Sequence, residues 1–232
     1  MILLEGVTKI YPVSKEMRVT AMHDVTLEVA RGEFVVVTGR SGSGKTTLLN
    51  LVAGLTRPTS GRVLVDGRDV WKMSDRQRSR LRNRTFGFVF QFPSLLPSLT
   101  VLQNVVMPEA FSPNGSGSST RDRAKELLES VGLAEKVAAY PRQLSAGQQQ
   151  RVVIARALIN EPEVLLADEP TSDLDEQTEC EIMDLFAQIH ARTGVTVILV
   201  THTTQLVRYG TRAVRMVAGR LATADDASPA AA

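Results

Sequence analysis

The chain has 232 residues, of which 43% are hydrophobic and 22% are charged, so it can bury a sizeable core and has the composition of a globular protein. A formal net charge of +2 is too small to argue for a nucleic-acid-binding protein, which usually needs a concentrated basic face. The single cysteine, Cys180, excludes an internal disulfide and favours a reducing compartment. No apolar run reaches the length of a membrane span, and the N-terminus lacks the pattern of a signal peptide. We therefore expect a soluble, cytoplasmic protein whose role at a membrane would require a partner.

The N-terminal part of the chain is predicted to alternate between strands and helices. Apolar runs bounded by turn residues predict strands at 25–29, 34–38, 62–65 and 86–90. One helix is predicted from Lys45 to about residue 53, where Gly54 ends the apolar pattern. A second is predicted from Ser74, which forms a capping-box pattern with Gln77, to about residue 82. The pair Asp66-Gly67 predicts a hairpin turn.

The character of the sequence changes after residue 91. Prolines interrupt an apolar loop, and residues 114–119 form a Gly/Ser stretch that is predicted to be flexible. Helices are then predicted at 120–131, 146–160 and 176–192, and strands at 164–167 and 195–200. This pattern predicts an α/β fold whose core consists of residues 1–91 and 161–220, with a helical sub-domain inserted at 92–160 and a flexible tail at 221–232.

A glycine-rich loop between a predicted strand and a predicted helix matches the pattern G-x-x-x-x-G-K-[ST]. The backbone N–H groups of such a loop surround phosphate oxygens, and the dipole of the following helix adds positive potential. Lys45 would reach the β- and γ-phosphates of a nucleotide, and the Thr46 hydroxyl would bind Mg²⁺. The residues predicted to bind the nucleotide here are Gly39, Arg40, Ser41, Gly42, Ser43, Gly44, Lys45, Thr46 and Thr47.

The run VLLADE ends in two carboxylates, Asp168 and Glu169. The apolar residues predict a buried strand, and ligands of open α/β sheets bind at the carboxyl ends of such strands. Asp168 is predicted to hold Mg²⁺, and Glu169 to polarise an attacking water as a general base. Many buried strands end in acidic residues without a function, so this prediction depends on the presence of the phosphate loop.

A second helix start suited to an anion lies in LSAGQQQR, residues 144–151. Ser145 is a natural N-cap, Gly147 would let a ligand approach the backbone, and the segment contains no acidic residue. Taken alone, the segment is equally well explained by ordinary helix capping.

The order of these motifs along the chain resembles that of the ATP-binding cassette (ABC) ATPase family, over about residues 2–220. The resemblance implies a P-loop NTPase core with a mainly parallel sheet, an N-terminal antiparallel β sub-domain and an inserted α-helical sub-domain. It also implies ATP and Mg²⁺ as cofactors. In that family, two chains form a homodimer that encloses two ATP molecules, and the signature segment of each chain closes over the ATP held by the phosphate loop of the other.

The resemblance assigns further site residues. Ser145, Ala146, Gly147 and Gln148 form the signature that contacts ATP in trans. Gln91 is similar to the loop glutamine that reaches Mg²⁺, although a polar residue at a strand end is the alternative. His202 resembles the switch histidine that contacts the γ-phosphate, with a surface histidine as the alternative. Tyr11, expected after the first strand of the chain, resembles the aromatic residue that stacks on adenine, with a core-packing tyrosine as the alternative.

Three positions depart from the family pattern. Ala146 replaces the usual first glycine of the signature, Asp173 adds a negative charge to the segment SDLD at 172–175, and Thr203 follows His202 where an acidic residue is common. No catalytic group is lost, so we expect the departures to affect the rate of turnover rather than to abolish it.

Residues 81–105 resemble ATPases of the MacB/LolD/FtsE type, which work with membrane subunits in bacterial envelopes. This resemblance implies a peripheral protein on the cytoplasmic side of the inner membrane, bound to an integral permease subunit of FtsX/MacB-like type, without nucleic acid and without insertion of its own chain into the membrane. An apolar cluster beside Gln91 would suit docking of such a partner, unless the loop folds onto its own helices. Its residues are Phe92, Leu95, Leu96 and Leu99.

Other functions are less consistent with the sequence. ATPase subunits of ABC importers share part of the 81–105 pattern. Soluble ABC ATPases of DNA repair insert long coiled coils and those of translation fuse two cassettes, whereas this chain has no sustained heptads and one cassette. A small-molecule kinase would leave the signature and His202 unexplained. The transported substrate, the direction of transport and the identity of the membrane subunit are properties of the partner chain, which this sequence does not specify.

Overall fold

The computed structural model describes residues 1–14, 16–111 and 117–222. The chain divides into two compact units, Met1–Arg78 with Val200–Ala232, and Ser79–Leu199. The strands are β1 Ile2–Pro12, β2 Arg18–Val29, β3 Phe34–Thr38, β4 Ser60–Val65, β5 Arg68–Asp69, β6 Phe86–Val89, β7 Val164–Asp168, β8 Thr196–Thr201, β9 Arg212–Val217 and β10 Arg220–Leu221. The α-helices are α1 Lys45–Val52, α2 Asp75–Thr85, α3 Val101–Val106, α4 Gly117–Ser130, α5 Ala146–Leu158 and α6 Glu176–Thr193.

The first unit contains a four-stranded antiparallel sheet with the strand order β2-β1-β4-β5. The turn between β4 and β5 is the predicted Asp66-Gly67 pair, and both residues have positive φ, 48° and 73°. Two consecutive residues of positive φ are what a type I′ hairpin turn requires. This sheet confirms the expected antiparallel sub-domain at the N-terminus.

The first unit also contains β3, which is fully buried and pairs in parallel with β9, with Thr38 opposite Arg215. The short strand β10 continues antiparallel to β9. Because β3 is buried on both faces, its sequence is a continuous apolar run, FVVV, rather than an alternating one. The phosphate loop follows directly from the last residue of this strand.

In the second unit, β6 and β7 pair in parallel, with Val89 opposite Ala167. Helix α5 packs against β6 and against α3, α4 and α6. At Gly87 an added Cβ atom would lie 2.4 Å from the carbonyl oxygen of Ala157, so the absence of a side chain lets α5 approach β6 closely. The mixed sheets and helices confirm the predicted α/β fold class.

The local signals placed most element ends correctly. Gly54 and Gly132, with φ of 63° and 76°, lie just beyond the C-terminal ends of α1 and α4 as expected. The prediction that Tyr11 follows the first strand is wrong, because β1 extends to Pro12. The sequence predicted no bounds for β1, and it did not predict β5, α3, β9 or β10, which lack a long periodic pattern.

Some predictions fall on residues that the structure does not describe. Residues 114–116 of the predicted flexible stretch and 223–232 of the predicted tail lie outside the described residues, whereas 117–119 belong to α4 and not to a flexible stretch. The boundaries of the helical sub-domain at 92–160 and of the core at 1–91 and 161–220 stay predictions. Among the described residues, no helix is both long and apolar enough to cross a bilayer.

Candidate active site

The predicted site residues divide between the two units. Tyr11, His202 and the phosphate loop belong to the first unit, and Gln91, the signature, Asp168 and Glu169 belong to the second. We describe the two groups separately.

The phosphate loop connects β3 to α1 and is held by its own backbone. The ammonium group of Lys45, a buried residue, donates hydrogen bonds to the carbonyl oxygens of Gly39, at 2.8 Å, and Arg40, at 3.2 Å. The N–H of Ser43 donates to the carbonyl of Arg40 at 3.1 Å. Lys45 is therefore held at the loop, where its charge adds to that of the helix N-terminus.

The N-cap of α1 is Gly44, which offers no side-chain acceptor, and the first turn contains no acidic residue. The N–H groups that begin a helix and lack a side-chain cap are ready donors to an anion. Gly44 has φ of 103°, and an added Cβ atom would lie 2.3 Å from the carbonyl oxygen of Ala21. Only glycine fits this position, because both the backbone conformation and the space exclude a side chain.

Tyr11 lies on β1 opposite Val19 of β2, and Ala21, two residues further along β2, contacts Gly44 of the phosphate loop. Two residues along a strand span about 7 Å, so the tyrosine lies within reach of a nucleotide held by the loop. The ammonium group of Lys9 lies 4.7 Å from the centroid of the Tyr11 ring. One face of the ring therefore has a cation–π partner, and stacking of the ring on adenine stays a prediction.

His202 is exposed and directly follows β8. The hydroxyl of Thr201, a buried residue, accepts a hydrogen bond from the N–H of Thr203 at 3.0 Å and so closes a turn around the histidine. The turn presents His202 at the carboxyl end of a buried strand. Its contact with a γ-phosphate stays a prediction.

In the second unit, the register of β6 and β7 brings three predicted residues to one edge. Gln91 lies two residues beyond Val89, while Asp168 and Glu169 follow Ala167, the partner of Val89. All three side chains are half-buried. They occupy the carboxyl edge of two parallel strands, where ligands of α/β sheets bind.

Glu169 has φ of 45°, in the left-handed region that residues with a side chain rarely adopt. Its carbonyl oxygen accepts the N–H of Ser172 at 3.3 Å, so the chain turns sharply after β7. Strained backbone of this kind concentrates at functional sites, where the surrounding structure compensates for its cost. Other residues of the chain, such as Asp66 in its hairpin turn, also have positive φ, so the role of Glu169 as a base stays a prediction.

The signature begins α5 with a complete capping box. The hydroxyl oxygen of Ser145 accepts the N–H of Gln148 at 3.2 Å, and the side-chain oxygen of Gln148 accepts the N–H of Ser145 at 3.1 Å. The first turn contains no acidic residue, and Ser145 and Ala146 are exposed. Because the serine oxygen is used as an acceptor, its O–H remains available as a donor toward an anion.

Gly147 is buried in the chain, and its predicted contact with a ligand stays a prediction. An added Cβ atom would lie 2.5 Å from Cγ2 of Thr178 at the start of α6. The missing side chain of Gly147 is therefore explained by packing within the chain.

Comparisons with known proteins agree with this geometry. Residues 22–172 match the sequence profile of the ABC transporter family. The chain belongs to this family. An uncharacterized ABC transporter ATP-binding protein of Thermotoga maritima is 49% identical over 94% of this chain and 92% of its own length. The cassette is thus an ATP-binding and ATP-hydrolysing subunit of the ABC type.

Other relatives carry more specific names. The lipoprotein-releasing system ATP-binding protein LolD of Geobacter metallireducens is 45% identical over 90% of the cassette and 92% of its own length. The macrolide export ATP-binding/permease protein MacB of Syntrophobacter fumaroxidans is 46% identical over 93% of the cassette, which spans 30% of that longer protein. Among solved structures, the dimeric post-hydrolysis state of the ATP-binding cassette MJ0796 bound to ADP and Pi has a TM-score of 0.88 and 41% identity, covering 96% of this cassette and 97% of that chain.

Two residues of α5 that the sequence analysis missed hold the loop around Gln91. The amide of Gln150 donates to the carbonyl of Phe90 at 3.4 Å, and the guanidinium of Arg156 donates to the carbonyls of Ser94 and Pro93 at 2.9 and 3.1 Å. Burial lowers the pKa of Arg156 from its ordinary value, but the group stays charged at neutral pH. Helix α5, which begins with the signature, therefore holds the chain by hydrogen bonds on both sides of Gln91.

The second unit contains a cavity of about 560 Å³. It is lined by residues of α4, α5 and α6 and by residues that directly follow α5 and α6. None of the predicted site residues lines it.

Helix α6 of the cassette should lose part of its stabilisation at low pH. The Asp175 carboxylate caps α6 and accepts hydrogen bonds from both the hydroxyl and the N–H of Thr178. The bond from the hydroxyl is the main reason that the pKa of Asp175 lies below its ordinary value of 3.8. A lowered pKa stabilises the fold above pH 3.8, and the effect is lost as the pH falls through the lower, folded-state value. We expect Asp175→Ala to lower the midpoint of urea unfolding at pH 7, and the difference from the unmodified cassette to shrink as the pH approaches 3.

The control for this experiment is Asp184→Ala, which removes an exposed carboxylate from the middle of α6. This variant should lack a comparable pH-dependent difference. A constant difference between Asp175→Ala and the unmodified cassette from pH 7 to pH 3 would contradict the role of the charged cap.

Proposed function

We propose that the cassette works as a homodimer in which each chain supplies half of two ATP sites, and that it drives a membrane partner of the kind that works with LolD- and MacB-type ATPases. The observation that carries the proposal is the presence of two helix starts with donors for a phosphate: that of α1, which has no side-chain cap at Gly44, and that of α5, where Ser145 is exposed and its capping box leaves the O–H unused. The phosphate loop explains the first. A second one on the same chain is explained if it serves the ATP of another copy.

In the proposed dimer, Lys45 and the loop N–H groups bind the β- and γ-phosphates from one side. The O–H of Ser145 and the first N–H groups of α5 from the second copy bind from the other side. Negative charge grows on the transferred phosphoryl group during hydrolysis, so donors on both sides stabilise the transition state. The relationship between the copies is isologous, because each chain gives its signature and receives that of its partner. The dimeric MJ0796 cassette bound to ADP and Pi supports this arrangement.

Hydrolysis also requires a general base and a residue that contacts the γ-phosphate. Glu169 would polarise the attacking water, and His202 would contact the γ-phosphate. Tyr11 would stack on adenine with the ring face opposite Lys9. Each role rests on the resemblance of these positions to the family pattern and on their location at strand ends or beside the loop.

The donor set proposed for Mg²⁺ consists of oxygen atoms, from Thr46, Gln91 and Asp168. This composition fits Mg²⁺, which usually binds one or two carboxylates together with water and substrate phosphates. When bound, the ion would neutralise charge on the phosphates.

The membrane partner is proposed to dock on the apolar surface beside Gln91, which we call the loop patch and define as Phe90, Phe92 and Leu96. Their exposed fractions are 41%, 67% and 43%, whereas Leu95 and Leu99 are half-buried against the protein. Exposed aromatic side chains are typical anchors of protein interfaces. The carbonyls of Phe90 and of the residues after Phe92 are those held by α5, so binding at the patch would act on Gln91 directly. A partner of FtsX/MacB-like type would place the cassette at the cytoplasmic face of the inner membrane.

Replacing Phe92 with aspartate should separate the cassette from its partner. We expect recovery of an integral membrane protein with the tagged cassette from detergent-solubilised membranes to fall about tenfold or more, the scale of losing an interface anchor. The control is Leu55→Asp, which places the same charge at an apolar side chain of the first unit that is 49% exposed. Equal recovery with both variants would contradict docking at the loop patch. Recovery of ribosomes or nucleic acid in place of a membrane protein would contradict the transport function.

A further inference from the structure

Gly147, the second residue of α5, faces a single side chain of another helix. Apart from its own helix and chain neighbours, the atoms within 4 Å of an added Cβ atom are Cγ2 of Thr178, at 2.5 Å, and Cβ of Thr178, at 3.9 Å. The first distance is a severe overlap and the second an ordinary contact. One methyl group therefore occupies the space that the glycine leaves.

Hydrogen bonds at the start of α6 fix the orientation of this methyl group. The hydroxyl of Thr178 donates to one carboxylate oxygen of Asp175 at 2.7 Å, and its N–H donates to the other at 2.9 Å. Two bonds to the same carboxylate hold the threonine in one rotamer, because a rotation about χ1 would break the hydroxyl bond. The methyl group then points at Gly147.

The same contact joins two motifs of the proposed ATP site. Asp175 ends the segment SDLD, and Gly147 belongs to the signature. That segment is also held at its start, since the hydroxyl of Thr171 donates to Glu179 of α6 at 2.7 Å. The start of α5 thus contacts the start of α6 at Thr178, and one turn further along an ion pair of Arg151 with Glu181, at 3.0 Å, also joins the two helices.

We propose that Thr178 is a positioning residue, whose methyl group in the space left by Gly147 sets where the signature presents Ser145 to the ATP of the partner copy. This role rests on the proposed homodimer. Donors that stabilise a transition state must lie within hydrogen-bond distance of the developing charge, and a misplacement of about 1 Å costs on the order of 10²-fold in rate. A contact that fixes the start of α5 therefore affects turnover more than it affects ATP binding by a single chain.

A double-mutant cycle tests the contact. Gly147→Ala should reduce the kcat of ATP hydrolysis roughly 10- to 100-fold and lower the thermal unfolding temperature, because the new methyl group overlaps that of Thr178. Thr178→Ser keeps the hydroxyl bond to Asp175 but removes the methyl group, and should lower kcat about threefold to tenfold with little change in ATP affinity of the monomer. The combined variant should have a kcat within about threefold of that of Thr178→Ser, because the overlapping methyl group is gone. Its unfolding temperature should likewise return to that of Thr178→Ser.

The matched control is Thr193→Ser, which removes the same methyl group at the other end of α6 and keeps a hydroxyl that donates to Ile189. This variant should hydrolyse ATP at the rate of the unmodified cassette and should not rescue Gly147→Ala. If Gly147→Ala were equally impaired with and without Thr178→Ser, both in kcat and in unfolding temperature, the glycine would be required by a ligand and the proposal would be wrong. The unfolding measurement tests the contact even if the cassette hydrolyses ATP as a monomer, which would refute only the proposed dimer.

Discussion

Glu169→Gln is expected to slow ATP hydrolysis by about 10²–10⁴-fold, the usual scale for the loss of a general base, while ATP binding is retained. The carboxylate follows β7 at the carboxyl edge of two parallel strands, and its backbone is held at φ of 45°. Glutamine has nearly the same shape and can occupy the same position, but its amide cannot accept a proton from water. ATP bound at the proposed interface would then persist, and the dimer with it. Light scattering of the variant with ATP and Mg²⁺ should show twice the mass of a single chain.

The control for this variant is Glu163→Gln, which makes the same change at an exposed side chain next to the opposite end of β7. Its turnover and its mass in the presence of ATP should match those of the unmodified cassette. If Glu169→Gln hydrolysed ATP at a near-normal rate, Glu169 would not be the base. If its turnover fell but its mass stayed that of a monomer with ATP bound, the proposal that ATP is enclosed between two copies would be contradicted.

Ser145→Arg is expected to abolish turnover while a single chain still binds ATP. The substitution removes the oxygen that caps α5 and places a long cation where a partner's phosphate would approach. The phosphate loop, which belongs to the other unit, is unchanged. ATP binding to the monomer can be followed with a fluorescent ATP analogue, and turnover by release of inorganic phosphate. Loss of ATP binding by the monomer would mean that the signature acts on the ATP of its own chain.

Mixing two inactive variants separates action in trans from action in cis. A Ser145→Arg chain has an intact phosphate loop, and a Lys45→Ala chain has an intact signature. In the proposed dimer their heterodimer contains one site with both intact parts, so the mixture should hydrolyse ATP although neither variant does so alone. If each chain used its own signature, the mixture would be as inactive as its components.

The matched control for the serine is Ser74→Arg. Ser74 is also an exposed serine in a capping box with a glutamine, at the start of α2. This variant loses the same type of helix cap and gains the same charge. It should keep normal turnover, so an effect confined to Ser145→Arg would come from the position of the signature and not from the loss of a cap.

The sequence alone determined the features that depend on local chemistry. The phosphate loop follows from glycines and a lysine at fixed spacing, and its conformation is closed by bonds among neighbours, such as those from Lys45 to Gly39 and Arg40. The capping box of α5 is likewise satisfied within four residues, from Ser145 to Gln148. The strand before Asp168 was predicted from its apolar residues, and the hairpin at Asp66-Gly67 from the conformational freedom of that pair. These features depend on residues that are close together along the chain, so they can be predicted from the sequence without knowledge of the fold.

The tertiary structure decided the features that join distant parts of the chain. The register of β6 and β7 brings Gln91 to the edge where Asp168 ends its strand, and Arg156 reaches the carbonyl of Ser94, 62 residues away. The sequence predicted that Gly147 would let a ligand approach the backbone, but it did not show that the packing of α5 on α6 places this glycine against Thr178. A glycine looks the same in a sequence whether it makes room for a phosphate or for a methyl group. Which of the two occupies the space depends on how the helices pack, and that packing is set by side chains far apart in the chain.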